Sequence, residues 1–286
     1  MLLAGFTEST LILPSTPANL AATLTVPDAP HRPSALIIPG GTDRDGNRPG
    51  QHNDHLRLLA HGLAACGIAS LRIDPRGFGD STQAIPWELD SFTTDITEAD
   101  ARAWHARLGS AAAVLGVGNG ALTALRVGAP RLVLLESPAR PPGEVLRQRL
   151  DTLGLSARAR ARMRSAIDEL EAGRPADDVP PALGQIFRFG QTWMISQFRL
   201  DPRAELRRTK APSLVIAGST DLELRPDDGP ALAASRLGVQ LAILPGMNHV
   251  LRLAPDDFAA NLATYEQPGL PLHPMLLPTL CRFLGK

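Results

Sequence analysis

Apolar residues follow two rhythms along the chain. Six short runs are almost continuously apolar: SALIIPGG (34–41), ASLRIDPRG (69–77), AAAVLGV (111–117), RLVLLES (131–137), APSLVIAGS (211–219) and VQLAILPG (239–246). Runs of this length, ending in Gly, Pro, Asp or Ser, predict strands buried on both faces, as in a parallel sheet. Between them the spacing changes to that of a helix. In NDHLRLLAHGLAACG, Leu56, Leu59, Leu63 and Ala64 share a face and Gly67 is a stop signal. In SFTTDITEADARAWHARLG, the same spacing places Phe92, Ile96, Ala99 and Ala103 near one face, with a serine or threonine as N-cap. ALTALRVG and DDGPALAASRLG supply two further helices. Alternating strands and helices with short connections build a doubly wound sheet with right-handed crossovers.

Two departures frame this pattern. The first thirty residues hold TLILPS and LAATLTVP, which read as two strands of a hairpin at the sheet edge. From 138 to 210 there is no strand signal. PARPPGEVLRQRLDTLG, SARARARMRSAIDELEAGR and GQIFRFGQTWMISQF read as helices joined by Pro, Gly and Asp turns. We divide the chain accordingly into a core of residues 1–137 and 211–286 and a helical cap inserted at 138–210. LHPMLLPTLCRFLG closes the chain as a final helix, in which Pro278 requires a bend or a late start.

Composition narrows the classes. The 286 residues suit one large α/β domain with an insertion. Formal net charge is zero, so nothing electrostatic points to nucleic acid or an anionic membrane. Arginines at 158, 160, 162 and 164 are spaced by two, which spreads them around a helix, and acids follow them closely. The N-terminus lacks a basic segment and a long apolar run, and no stretch reaches the ~18–20 apolar residues of a membrane span. Only Cys66 and Cys281 are present, too few for a disulfide framework. The expectation is a reducing cytoplasm, with Cys66 as a small core residue. Abundant Ala, Arg, Gly and Pro with little Lys is the composition of a GC-rich bacterial gene.

In a parallel α/β sheet, ligands bind beyond the carboxyl ends of the strands. Five strand ends carry polar or glycine-rich sequence: PGGTDRDGN, DPRGFGDS, GVGNG, GSTDLE and PGMNHV. TDRDGN has three EF-hand-like acids or amides, but in a loop counted from Asp43 the sixth position is Arg48, Pro49 follows, and Asp54 stands where a glutamate is required. No metal and no cofactor is expected. Asp43, Asp45, Arg44, Asp74 and Arg76 read as loop-tying groups.

With these segments in order, the chain resembles an α/β-hydrolase, from the bacterial carboxylesterase and serine-aminopeptidase-like branch with a TDRDGN segment. The resemblance runs from about Ser34 to the C-terminus through IIPGGTDRDGN, GIASLRIDPRGFGDS, LVLLESPARPPGEVLRQRL, APSLVIAGSTDLEL, ILPGMNHVLR and ATYEQPGLPLHPML. It implies Asp221 as the triad acid and His249 as the base. It places the oxyanion-hole amides on Gly41 and Asn119, and Gly118 on the nucleophile. The frame Gly116-Val117-Gly118-Asn119-Gly120 therefore keeps the elbow and lacks its serine. Glycine suits the positive φ of such a turn. Ser81, Ser137 and Ser219 lie near strand ends but not on an elbow. Trp193 and Phe198, on the underside of a cap, are substrate-pocket candidates.

Three readings stay open. One is an ester or amide hydrolase type without its serine, in which ordinary serine hydrolysis is absent or weak. One is a pseudoenzyme binding a small acyl-like ligand. One is a non-hydrolytic enzyme using the His249–Asp221 pair.

Overall fold

The computed structural model describes residues 5–28, 33–48, 50–152, 154–177 and 189–285. The hairpin is β1 (Phe6–Leu13) and β2 (Leu20–Pro27), paired antiparallel. The continuous apolar runs become β3 (Ser34–Ile38), β4 (Ala69–Ile73), β5 (Ala113–Val117), β6 (Leu132–Leu135), β7 (Ser213–Gly218) and β8 (Gln240–Leu244). The eight strands form one sheet in the order β1-β2-β4-β3-β5-β6-β7-β8. All pairings from β4 to β8 are parallel, and β2 joins β4 antiparallel.

Alternation along each strand sends successive side chains to opposite faces, so each run feeds two cores. Leu36, Ile38, Val114, Leu134 and Val215 lie in one cluster. Ile37, Leu115, Val133, Leu135 and Ile216 lie in the other. The first is covered by α2 (Thr94–Leu108), α3 (Gly120–Val127), α7 (Pro202–Arg208) and α8 (Asp228–Ala234), through residues such as Trp104, Ala124, Leu206 and Leu232. The second is covered by α1 (His55–Ala65) and α10 (Leu276–Leu284), through Leu56, Leu59, Leu63, Leu280 and Phe283. Helices on both faces of a mostly parallel sheet are the doubly wound α/β arrangement expected above.

Between β6 and β7 lie α4 (Pro142–Thr152), α5 (Ala157–Glu171) and α6 (Gln191–Phe198). They share a small core of Leu150, Met163, Ile167, Leu170, Met194 and Phe198. The arginine-rich helix is tied to α4 by Arg164–Asp151 (2.8 Å) and by Arg147 to Asp168 and Glu171. α7, also in the 138–210 interval, instead packs on the sheet layer through Leu206. The helix expected to begin at 184 has its first residues outside the described ones; α6 starts at Gln191.

Two expectations change, and the late start that Pro278 asks of the final helix is met. On α2 the buried face is Thr94, Glu98, Ala101, Trp104 and His105, whereas Ala99 and Ala103 are exposed. The indole of Trp104 outweighs alanines in apolar area, and Glu98 is held inward by ion pairs with Arg102 and Arg126. Pro278 is the third residue of α10, inside the first turn, where its missing N–H has no intrahelical partner to lose. Cys66 is not an unpaired core residue: it is disulfide-bonded to Cys281, joining the end of α1 to α10. The expectation of a reducing compartment rested on unpaired cysteines and loses that support. Among the described residues, no helix is long and apolar enough to cross a membrane.

Candidate active site

The site lies at the carboxyl ends of β3, β5, β6, β7 and β8. The turn from β5 into α3 is the centre. Gly118 has φ +55°, a left-handed conformation that glycine adopts without steric cost. Its N–H donates to Leu135 O, and its carbonyl accepts from Ala121 N. A Cβ added here would stand 3.2 Å from His249 Nε2 and 3.5 Å from His249 Cε1. The turn therefore presents its central residue to the imidazole.

The loop after β3 packs directly on this turn. A Cβ on Gly40 would meet the backbone nitrogens of Asn119 and Gly120 at 2.5 Å. Side-chain-free backbone at this point lets the two loops touch. Gly41 follows at φ +81°, with open space where a Cβ would project. Gly41 and Asn119 both border the small cavity next to His249. The remainder of the loop is tied internally. One Asp43 carboxylate oxygen accepts from the N–H groups of Asp45, Gly46 and Asn47. Asp74 accepts from the backbone and guanidinium of Arg44. Burial pushes the Asp74 carboxyl up to about 6, against the pull of those Arg44 contacts. Arg76 is spent on Asp100, Ser15 and two carbonyls. These acids serve the loop, and no group of residues suited to hold a metal ion exists among those described.

Asp221 follows β7. Its Oδ1 accepts from Glu223 N at 2.6 Å and Leu224 N at 3.0 Å, which leaves Oδ2 to face His249 Nδ1 at 2.8 Å. Burial alone would raise its pKa, but His249, Glu136 and the backbone donors hold it at about 2. Burial likewise opposes the charged form of His249; Asp221 and then Glu223 outweigh it, and the imidazole stands above its ordinary value. The histidine loop is fixed from behind by Asn248, whose amide donates to Asn261 Oδ1 and Thr264 Oγ1. Asn261 in turn donates to Thr220 O, the residue before the acid.

Four residues with no motif of their own complete the site. Glu136, at the end of β6, has φ 44° and is buried. Burial first, and then the neighbouring Asp221 charge, drive its carboxyl well above the ordinary range, so it is neutral and donates to Asp221. Glu223 lies on the other side of the ring, its Oε2 3.7 Å from His249 Nε2. Arg48 holds Glu223 at 2.6 Å, and Arg149 from α4 approaches it at 3.4 Å. Despite its burial, Glu223 is lowered below the ordinary carboxylate value by His249, Arg48 and Arg149. Spacing alone would not have found these four; only the close approach of Glu223 to Asp221 in sequence hinted at one of them.

Two adjacent cavities open here. The smaller, about 200 Å³, is bordered by Gly41, Gly118, Asn119, Glu223, His249 and both arginines. The larger, about 460 Å³, runs between the sheet layer and α4 and α6 against Phe78, Phe92, Phe189, Trp193, Met194 and Phe198. Gly40, Gly41, Asn119, Val145 and Arg149 border both. Trp193 and Phe198 both border the large cavity. Ser81 is buried and accepts from Ala21 N, Ser137 donates to Leu135 O, and Ser219 accepts from Gly246 N; none borders either cavity.

Comparison with known proteins places this arrangement. A family model described as "Alpha/beta hydrolase family" matches residues 35–261. Among solved structures, the proline iminopeptidase of Mycobacterium smegmatis superposes with a TM-score of 0.63 at 18% identity, covering 97% of this chain and 98% of that one. Est1E from Butyrivibrio proteoclasticus, solved with ferulic acid bound, gives 0.61 at 16% identity, with 96% and 100% covered. The enol-lactonase from Burkholderia xenovorans LB400 gives 0.59 at 20% identity, again with 96% and 100% covered. At such identities the likeness is one of fold. A sequence search of curated proteins found no match.

Proposed function

The chain belongs to the alpha/beta hydrolase family, and from that premise we propose that it takes a small acyl ester or amide ligand in a carboxylic-ester-hydrolase pocket without forming an acyl-enzyme. Within the family we read it as a relative of the carboxylesterase and serine-aminopeptidase-like branch. Its acid and base are Asp221 and His249, its oxyanion amides are those of Gly41 and Asn119, and glycine stands on the nucleophile. The observation that carries this reading is the 3.2 Å from an added Gly118 Cβ to His249 Nε2, on a backbone already at φ +55°. A hydroxyl on that carbon would fall within reach of the imidazole after the ring yields by a few tenths of an ångström. Only the attacking atom is missing. Without it, His249 and the two amides offer electrostatic stabilisation and slow water attack. In serine proteases, what remains after loss of a triad member amounts to about 10³–10⁴ over water, far below the intact enzyme.

The test is hydrolysis of a short-chain p-nitrophenyl ester by the parent chain, Gly118→Ser, and Gly118→Ser combined with His249→Ala. We expect a parent near background and a gain of at least ~10²-fold in Gly118→Ser, abolished by His249→Ala, as expected when triad members act as a unit. A folded Gly118→Ser with no gain on any ester would sink the reading. A parent that itself turns over ester, and stops with His249→Ala, would show that water attack is the working chemistry.

A further inference from the structure

Three features around His249 bear on what the site holds when no serine is present. First, both ring nitrogens meet carboxylates: Asp221 at Nδ1 (2.8 Å) and Glu223 on the Nε2 side (3.7 Å). In a serine hydrolase the Nε2 side faces a hydroxyl and must accept its proton. Here it faces a negative charge, the arrangement that favours an imidazolium. Second, cationic side chains gather beside the site: Arg48 and Arg149 both reach Glu223, and with His249 they border the small cavity next to the Gly41 and Asn119 loops. Third, the small polar cavity shares Gly40, Gly41, Asn119, Val145 and Arg149 with the large one, which is walled by aromatic and aliphatic side chains.

We propose that this site binds an amphipathic monocarboxylate as its anion, with the carboxylate between the Gly41/Asn119 amides and the His249 imidazolium and the apolar body in the aromatic cavity. The proposal rests on the acyl-pocket reading above and narrows its ligand from the ester to the acid. The absent Cβ at Gly118 leaves the volume beside Nε2 to one carboxylate oxygen. Donors aimed at an oxyanion serve a stable anion equally well, and burial in a water-poor cavity strengthens such charge-assisted contacts. Glu223 is a positioning residue here: it keeps the ring charged and is itself pinned by the two arginines.

His249 is faced by Asp221 and Glu223 from the loop after β7, by Arg48 from the loop after β3, and by buried His55 at the start of α1. Burial, then Arg252 and His249, hold His55 well below its ordinary value, so it stays neutral. Behind these stand Glu136, Arg149 and Tyr265, the last with its phenol pushed up by burial and by the two site carboxylates. The pH response therefore belongs to His249. As pH rises through its elevated value the imidazolium is lost and anion binding weakens.

The measurement is calorimetric titration of the full chain with 4-phenylbutyrate and with its methyl ester, from pH 6 to pH 9. We expect the acid to bind at least ~10-fold more tightly than the ester at pH 6, with that preference lost toward pH 9. Glu223→Gln should move the midpoint of the loss to lower pH, a shift that a purely structural role would not produce. Should Glu223→Gln fail to fold, the His249 ring resonances of the parent, followed by NMR with and without the acid, read the same protonation. Ester bound as tightly as acid, or acid affinity flat across the range, overturns the carboxylate proposal and leaves the acyl-pocket reading intact. If neither ligand binds, both fail.

Discussion

Gly118 and Glu136 sit a few ångströms apart on left-handed backbone, at φ +55° and 44°, but only one of them is a glycine. A non-glycine residue there costs about 1–3 kcal/mol. Gly118→Ser should therefore gain esterase activity and lose stability together, by about 1–3 kcal/mol in urea unfolding. At Glu136 the strain already exists, and a buried neutral acid is added to it. Its folded pKa lies well above the ordinary 4.5, so folding holds a proton that the unfolded chain releases. The sign follows: this contribution is fully present below 4.5 and is lost as pH rises toward the folded value. Glu136→Gln keeps the shape and removes the titration. Relative to the parent, it should become more stable as pH rises from 5 to 8, by at most about 1.4 kcal/mol per pH unit. A stability difference independent of pH would mean that Glu136 is ionised in the fold.

At the scale of elements, the acid and base loops owe their registration to a residue far from any motif. Asn261, on α9 (Phe258–Ala263), accepts from Asn248 and donates to Thr220 O. It links the residue before His249 to the residue before Asp221. Asn261→Ala leaves buried partners unpaired, at a cost of about 1–3 kcal/mol. In the Gly118→Ser background it should also lower kcat more than it raises KM, because it disturbs the alignment of the pair; steady-state kinetics separate the two. The elements themselves were largely legible. Each continuous apolar run became a strand because a sheet covered on both faces demands it. The face of α2 was not, because alanines distinguish buried from exposed positions poorly, whereas Trp104 and the ion-paired Glu98 were settled by neighbours on α3.

For the molecule as a whole, α4, α5 and α6 have a small core of their own: among the described residues, its six members belong to neither cluster on the sheet faces. Truncating Met163, fully buried in that core, should cost about 2–5 kcal/mol locally. Hydrogen exchange should then accelerate over α4, α5 and α6 while β3, β5 and β6 stay protected. Uniform acceleration would show that cap and sheet unfold as one. Arg149 and the aromatic wall belong to or touch this unit, so the same variant should weaken ligand binding more than it lowers the stability of the sheet.

By itself the sequence determined the layer architecture and the run of helices between β6 and β7, whereas Gly118, Asp221 and His249 were singled out by the resemblance to a family. The architecture follows from local rules: apolar runs of strand length and helical spacing. Tertiary structure alone decided the pairing of Cys66 with Cys281, 215 residues apart. It also brought Arg48 and Arg149 onto Glu223, and set the neutral Glu136 beneath Asp221. Each of these depends on residues distant in the chain meeting at low solvent exposure, where charge and burial act on one another, and no local pattern encodes such a meeting.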